Sequence, residues 1–118
     1  MHLYRNLTVW RRSRAAALET YRVTSPFPEH ERFGLTAQLR RAALSVCVNI
    51  VEGSKRLSQR DFAHFLNIAE GSAAEVGFLL EMSIELGFAS RQAAAKLAAE
   101  FAEIERMLYA LRKRTTQR

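Results

Sequence analysis

One helix-length segment, residues 38–53, constrains the fold of this chain more than any other. The segment has Leu39, Ala42, Val46 and Ile50 on one side of a helix and Leu44, Cys47, Val48 and Val51 roughly opposite. At about 100° per residue, its polar side chains fall within an arc of about 80° between these two sides: Gln38, Arg41, Ser45, Asn49 and Glu52. A surface helix of a monomer buries one stripe and exposes the other. The pattern therefore predicts that something besides its own bundle covers the second apolar side.

The positions of proline, glycine and serine in the rest of the chain predict one all-α domain, residues 1–118. Two prolines and five glycines in 118 residues are typical of a helical protein. Ser25-Pro26-Phe27-Pro28 ends a first helix, and Ser58 and Ser90 are candidate N-caps for a third and a fourth. We expect the first helix from about Asn6 or Thr8 to Thr24, and the second from about Leu35 or Thr36 to Gly53 or a little beyond. The third follows Ser58 and reaches about Gly87, and the fourth follows Ser90 and reaches about Arg112, with 112–118 as a frayed basic tail. Short connections favour an antiparallel up-down-up-down four-helix bundle.

Apolar spacing also predicts which faces pack. In the first helix, the predicted core face contains Leu7, Trp10, Ala17, Leu18 and Tyr21. In the third helix, the small residues 71–74 (Gly-Ser-Ala-Ala) predict a close approach by a neighbouring helix, because an internal glycine otherwise costs about 1 kcal/mol. In the fourth, a row of alanines opposite the core stripe indicates either simple helix propensity or a second contact surface.

The sequence contains no pattern typical of a catalytic, metal or cofactor site. Cys47 has no His or Asp one helical turn away, so we interpret it as a small buried hydrophobe. His2, His30 and His64 are scattered, without metal-ligand spacing, and no phosphate-binding loop or nucleophile elbow is present. We therefore expect a protein that is not an enzyme and needs no cofactor. With no membrane-span pattern and no cleavable signal, we expect it in the cytoplasm.

The polar stripe of residues 38–52 has two interpretations. It is either a ligand pocket or a structural network, in which Arg41 pairs with Glu52 or with Glu75 of the third helix and Asn49 binds neighbouring groups. No candidate nucleophile accompanies the stripe, so the structural interpretation is favoured. It predicts that Arg41→Ala breaks assembly or solubility.

Charge is unevenly distributed along the chain, whose net charge is +6. Residues 58–88 carry one cation against five acidic residues, whereas both termini are basic. This asymmetry suits an anionic partner, a merely solvated face, or head-to-tail contacts between subunits. Cations from the starts of helices one and three and the ends of helices two and four should meet at one end of the bundle. The predicted nucleic-acid-binding residues are Arg5, Arg11, Arg12, Lys55, Arg56, Arg112, Lys113 and Arg114.

Two runs of residues carry a family resemblance. The first is Phe27-Pro28-x-x-Glu31-Arg32-Phe33-Gly34-Leu35-x-x-Gln38-Leu39-Arg40-Arg41-Ala42-Ala43-x-Ser45-x-x-x-Asn49-Ile50-x-Glu52-Gly53, and the second is Asp61-Phe62-x-x-Phe65-Leu66-x-Ile68-Ala69-x-Gly71-Ser72-x-x-Glu75. They resemble the four-helix-bundle family encoded in intervening sequences of bacterial 23S rRNA genes, often labelled S23-type ribosomal proteins. The resemblance implies a homopentamer. The family is also similar to the accessory protein of diversity-generating retroelements, a basic pentamer that binds nucleic acid and a reverse transcriptase.

Sequence and resemblance together favour a non-enzymatic homo-oligomer that binds structured RNA or another nucleic acid as an accessory factor. The alternative is a scaffold oligomer whose partner is a protein, such as a polymerase or reverse transcriptase. No RNA-recognition or zinc-finger signature is present, so any nucleic-acid binding should follow shape and charge.

Overall fold

Four helices make up nearly all of the computed structural model, which describes residues 3–116. They are α1 (Thr8–Thr24), α2 (Leu35–Ser54), α3 (Gln59–Glu85) and α4 (Arg91–Thr116). Two short 3-10 turns, Tyr4–Asn6 and Glu29–Glu31, precede α1 and α2. The described residues include no strand, and the predicted all-α class is confirmed.

Each helix packs against its two neighbours in chain order, and α4 closes the bundle against α1. Within residues 3–116, no Cα atoms of the diagonal pairs α1–α3 and α2–α4 lie within 8 Å of each other. This arrangement is the predicted antiparallel bundle, about 46 × 22 × 19 Å. It places the side formed by α1 and α2 opposite the side formed by α3 and α4. None of the described helices combines the length and hydropathy needed to span a membrane.

The helix ends follow the expected chemistry, with one correction. Ser58 Oγ accepts the amide N–H of Asp61 at 3.0 Å, which caps α3, and Gly87 ends this helix region with a φ of +77°. The prediction that residues 112–118 fray is wrong for 112–116, which continue α4. Arg112 binds Glu70 of α3, and the Thr115 hydroxyl donates to the Leu111 carbonyl at 2.8 Å. Residues 117 and 118 lie outside the described residues.

The core face of α1 differs from the prediction. Leu18 and Tyr21 are 45% and 40% exposed, whereas Ser13 and Thr20 are fully buried. The hydroxyl of Ser13 donates to the Val9 carbonyl at 2.7 Å, and that of Thr20 donates to the Ala16 carbonyl at 2.8 Å. Because these hydroxyls find partners within their own helix, burying them costs little, and the small side chains let α1 pack closely. The prediction that Leu18 and Tyr21 belong to the core face of α1 is therefore wrong.

The close approach between helices involves a different glycine from the predicted one. A Cβ on Gly71 would meet no atom within 4 Å, so the prediction for residues 71–74 is wrong at that position. A Cβ on Gly53 of α2 would lie 2.8 Å from Phe65 Cβ and 3.0 Å from Phe62 Cδ1 of α3. Gly53 therefore allows α2 to pack against the two phenylalanines at the start of α3.

Candidate nucleic-acid interface

The turn before α1 holds two cations against one aromatic ring. The Arg5 guanidinium carbon lies 5.3 Å from the ring centre of Tyr4 and 5.4 Å from that of Trp10. Lys55 Nζ, from the residue after α2, lies 5.7 Å from the Tyr4 ring centre. Tyr4 and Trp10 pack edge to face, with their ring centres 4.9 Å apart. Cation–π attraction thus fixes two positive charges next to each other at the surface.

Arg11 adds a third cation to this site. Its Nη1 donates to the Arg5 carbonyl at 2.9 Å, and its Nη2 lies 3.4 Å from Thr8 Oγ1. We call Tyr4, Arg5, Trp10, Arg11 and Lys55 the Tyr4 cluster. In the described part of the chain, none of its three cations lies within ion-pair distance of a carboxylate. All three side chains are exposed, so their charges are available to an anion from solution.

Three other predicted cations already have carboxylate partners. Arg12 binds Glu100 of α4 through two hydrogen bonds, with Nη2 2.6 Å from Oε1 and Nε 2.9 Å from Oε2. Arg112 binds Glu70 in the same two-pronged manner. Arg56 lies 3.2 Å from Glu52. The Arg12 and Arg112 pairs tie α4 to α1 and to α3, so we assign these two arginines structural roles first. The Arg56–Glu52 pair is exposed and joins residues one turn apart.

The pKa values of two of these arginines reflect the same pairing. The hydrogen bonds to Glu100 and Glu70 raise the pKa of Arg12 and of Arg112, respectively, above the ordinary guanidinium value. Burial opposes the rise in both cases. Both groups therefore stay charged, and each is paired with a carboxylate of a neighbouring helix.

The predicted basic end contains two groups of cations, one around Tyr4 and one on the last turns of α4. Lys113 Nζ lies 5.9 Å from the Tyr109 ring centre on α4, and Arg114 is exposed. The Tyr4–Asn6 turn packs on α1 and α2, and none of its Cα atoms lies within 8 Å of a Cα atom of α4. Arg5, Arg11 and Lys55 are thus brought together around Tyr4, while Lys113 and Arg114 lie on the last turns of α4. Because α1 and α4 are antiparallel neighbours, the start of α1 and the end of α4 lie at the same end of the bundle.

The polar stripe is partly the network that was predicted. Ser45 Oγ and Ser72 Oγ lie 2.8 Å apart, joining α2 to α3. Asn49 Nδ2 donates to the Ser45 carbonyl at 2.8 Å and to Ser45 Oγ at 3.0 Å, which confirms the expectation for Asn49. Sequence reasoning missed Ser72, although it lies in the small-residue run. The Ser45–Ser72 bond therefore links α2 to α3, and Asn49 supports Ser45 from within α2.

The predicted pairing of Arg41 is wrong for the single chain. Arg41 is exposed, and no ion pair joins it to Glu52 or Glu75 among the described residues. Glu52 instead binds Arg56, which follows it by one helical turn and lies closer along the helix surface. Gln38 and Glu75 are also exposed. Arg41 thus keeps its charge free on the outer surface of α2.

Cys47 packs half-buried against the core, which confirms its interpretation as a small hydrophobe. Burial raises the pKa of the thiol from 9.0 to about 11, and the positive charge of Arg14 opposes this rise only weakly. At neutral pH the thiol is therefore protonated and a poor nucleophile. No group of three or more His, Cys, Asp or Glu side chains in residues 3–116 is placed to hold a metal.

The chain is similar to one known protein family in both sequence and fold. The family model described as 23S rRNA-intervening sequence protein matches residues 5–110. A crystal structure of a protein with unknown function from the S23 ribosomal protein family of Bacteroides thetaiotaomicron is similar over its whole length. It shares 27% identity, with a TM-score of 0.81, over 90% of this chain and 99% of that chain. Among curated proteins, none is significantly similar to the chain.

Proposed function

The chain belongs to the 23S rRNA-intervening sequence protein family, and we propose that it is a non-enzymatic, self-associating accessory factor that binds structured RNA or another nucleic acid. It would act in the cytoplasm, without a cofactor. The family itself assigns no activity, so the proposal depends on the chemistry of the surface.

The Tyr4 cluster is the observation that carries this proposal. Arg5, Arg11 and Lys55 present three charges that no carboxylate of the described chain neutralises. Tyr4 and Trp10 hold Arg5 in place, and Tyr4 also holds Lys55. The phosphate backbone of a nucleic acid neutralises several positive charges that lie close together. Such a surface binds by charge and shape, without reading base edges.

Self-association would strengthen this binding. One copy offers three cations in the Tyr4 cluster, and a pentamer, as the family resemblance implies, would offer about 15 on a symmetric assembly. A structured RNA long enough to reach several copies would then bind far more tightly than a short one. The net charge of +6 per chain also draws polyanions toward the assembly before contact.

The salt dependence of binding tests the proposal. We would measure fluorescence anisotropy of a labelled RNA hairpin and a labelled DNA duplex against the protein at about 50 and 200 mM salt. Neutralising three phosphates gives a slope of about −2.7, so affinity should fall at least about 40-fold over this fourfold change in salt. No binding at the lower salt, or binding that salt does not weaken, would contradict the proposal.

A protein partner is the second candidate, as for a scaffold of a polymerase or reverse transcriptase. The favouring observation is Phe33, which is 85% exposed at the end of the bundle opposite the Tyr4 cluster. Arg32 lies over its ring, with its guanidinium carbon 5.0 Å from the ring centre. Phenylalanine and arginine are both enriched at protein–protein interfaces. Absence of nucleic-acid binding at low salt would favour this candidate.

A further inference from the structure

The outer side of α1 and α2 carries an apolar patch that the single chain leaves uncovered. Val48 is 52% exposed, and Leu44, Leu18 and Tyr21 are exposed to similar extents. This patch contains the second apolar side of α2 noted in the sequence. We call Leu18, Tyr21, Leu44 and Val48 the α1–α2 patch. Four exposed apolar side chains on two helices that pack together differ from the single exposed apolar residues that are normal on proteins.

Arginines join and surround the α1–α2 patch. Arg40 of α2 crosses to α1, where its guanidinium carbon lies 4.6 Å from the Tyr21 ring centre and its Nε donates to Thr24 Oγ1 at 2.8 Å. Arg14 of α1 is close enough to α2 for its charge to act on Cys47. Neither these arginines nor Arg41 has a carboxylate partner in the described residues. The patch is therefore apolar at its centre and positive at its margin.

The opposite side of the bundle has a groove with negative charge. A groove of about 390 Å³ runs between α3 and α4, with a floor of small side chains that includes Gly77, Ala98 and Ala102. Phe78 stands at its edge, 58% exposed. Glu81 and Glu105 line the same groove, and neither has an ion-pair partner within residues 3–116. We call this surface the α3–α4 groove.

We infer that the α1–α2 patch of one copy of this chain docks into the α3–α4 groove of a second copy, in a head-to-tail contact. Apolar side chains of the patch cover the small-residue floor, while Arg14, Arg40 or Arg41 meets Glu81 or Glu105 of the neighbour. The inference deepens the self-association in the proposed function by naming both of its surfaces. It does not depend on nucleic-acid binding.

Charge and geometry both favour this arrangement over a symmetric pair. A contact of the α1–α2 patch with itself would bring unpaired arginines against arginines, and a contact of two grooves would oppose carboxylates. The two surfaces lie on opposite sides of the bundle because α1 neighbours α2 and α3 neighbours α4. A copy docked by its patch therefore still presents its own groove, so the contact repeats until a ring closes or a filament grows.

Two complementary variants test the contact. Val48→Glu places a carboxylate in the α1–α2 patch. Gly77→Arg fills the α3–α4 groove and reverses its charge, and its new Cβ would meet no atom within 4 Å of the same chain. Leu57→Glu is the matched control, because Leu57 is 91% exposed in the connection between α2 and α3, away from both surfaces. Far-UV circular dichroism establishes that each variant remains helical.

Sedimentation velocity without nucleic acid then measures mass. Wild type and Leu57→Glu should be oligomers, and each interface variant alone should be a 13.4 kDa monomer, with the dissociation constant raised at least about 30-fold. Mixed in equal amounts, the two variants should form a heterodimer, because the intact groove of Val48→Glu accepts the intact patch of Gly77→Arg.

The outcomes separate the inference from the broader proposal. Monomeric wild type would overturn self-association itself. An oligomeric wild type whose two variants fail to dissociate, or dissociate without pairing on mixing, would overturn the head-to-tail contact alone. Nucleic-acid binding by the monomeric variants would support the proposed role of the Tyr4 cluster independently of the sedimentation result.

Discussion

Arg112 of α4 and Glu70 of α3 form the most enclosed ion pair among residues 3–116, with two hydrogen bonds between the guanidinium and the carboxylate. The Glu70 side chain is 14% exposed and the Arg112 side chain 28%. Arg112 Nη2 lies 3.2 Å from Glu70 Oε1. The pair holds the last turns of α4 on the bundle. A cation that sequence alone assigns to nucleic-acid binding therefore stabilises the fold.

Loss of this pair should destabilise the bundle. Arg112→Ala leaves the carboxylate of Glu70 largely buried without its partner, so we expect the free energy of unfolding to fall by about 1–2 kcal/mol. Arg106→Ala is the control, because it removes the exposed Arg106–Glu103 pair and should cost no more than about 0.5 kcal/mol. Urea denaturation compares the two. Equal losses would show that the enclosed pair contributes no more than a surface pair.

Alanine substitutions at Gly53 and Gly71 should change the free energy of unfolding in opposite directions. Gly53→Ala forces a methyl group to within 3 Å of Phe65 and Phe62, and we expect it to lower the free energy of unfolding by about 1–3 kcal/mol. Gly71→Ala has open space and gains helix propensity, which should stabilise by about 0.5–1 kcal/mol. Thermal or urea unfolding of both variants measures the difference. A tolerated Gly53→Ala would mean that α2 and α3 can move apart there.

Arg41→Ala should separate assembly from folding. Because Arg41 is exposed and unpaired in the single chain, its loss should change the free energy of unfolding by less than about 0.5 kcal/mol. The same loss removes a charge at the margin of the α1–α2 patch. The oligomer should therefore dissociate at a higher protein concentration than the wild-type oligomer does. Arg60→Ala, another exposed arginine, is the matched control for sedimentation. A variant that sediments like wild type would remove Arg41 from the contact.

Cys47 should react slowly with iodoacetamide. Raising the thiol pKa from 9.0 to about 11 lowers the thiolate fraction at pH 8 by about 100-fold, and the greater nucleophilicity of a more basic thiolate restores about tenfold. We expect alkylation at least about tenfold slower than in the urea-unfolded chain, measured by mass spectrometry. Because the folded state holds this proton more tightly, its stabilising effect is present below pH 9 and is lost as pH rises through 11. Equal rates would contradict the burial of the thiol.

Much of the fold is predictable from sequence because it depends on local signals. Ser58 caps α3 as its position before Asp61 predicts, and the spacing of Leu39, Val46 and Ile50 predicts their complete burial. The face of α1 is not predictable in the same way. Thr20 is buried because its hydroxyl returns to the Ala16 carbonyl, and apolar periodicity does not register this bond. Leu18 is apolar and yet 45% exposed, and apolar periodicity alone does not distinguish it from the core residues of α1.

The candidate site shows a sharper limit of sequence reasoning. Charge counting finds the cations of the Tyr4 cluster but cannot separate them from Arg12 and Arg112, whose acidic partners are 88 and 42 residues away in the chain. Such long-range pairs depend on which helices become neighbours. The role of Tyr4, which orders Arg5 and Lys55, depends in the same way on the 3-10 turn folding back onto α2.

The most direct test of nucleic-acid binding by the Tyr4 cluster is the slope of log affinity against log salt for two double variants with the same charge change. Arg5→Ala with Lys55→Ala removes two cations of the cluster, and Arg91→Ala with Lys96→Ala removes two exposed cations from the start of α4, at the opposite end. With a labelled RNA hairpin, the first variant should reduce the slope by about 2 per bound copy and weaken binding strongly, whereas the second should keep the wild-type slope. Equal slopes for both variants would mean that charge anywhere on the bundle suffices, and would contradict a nucleic-acid site at the Tyr4 cluster.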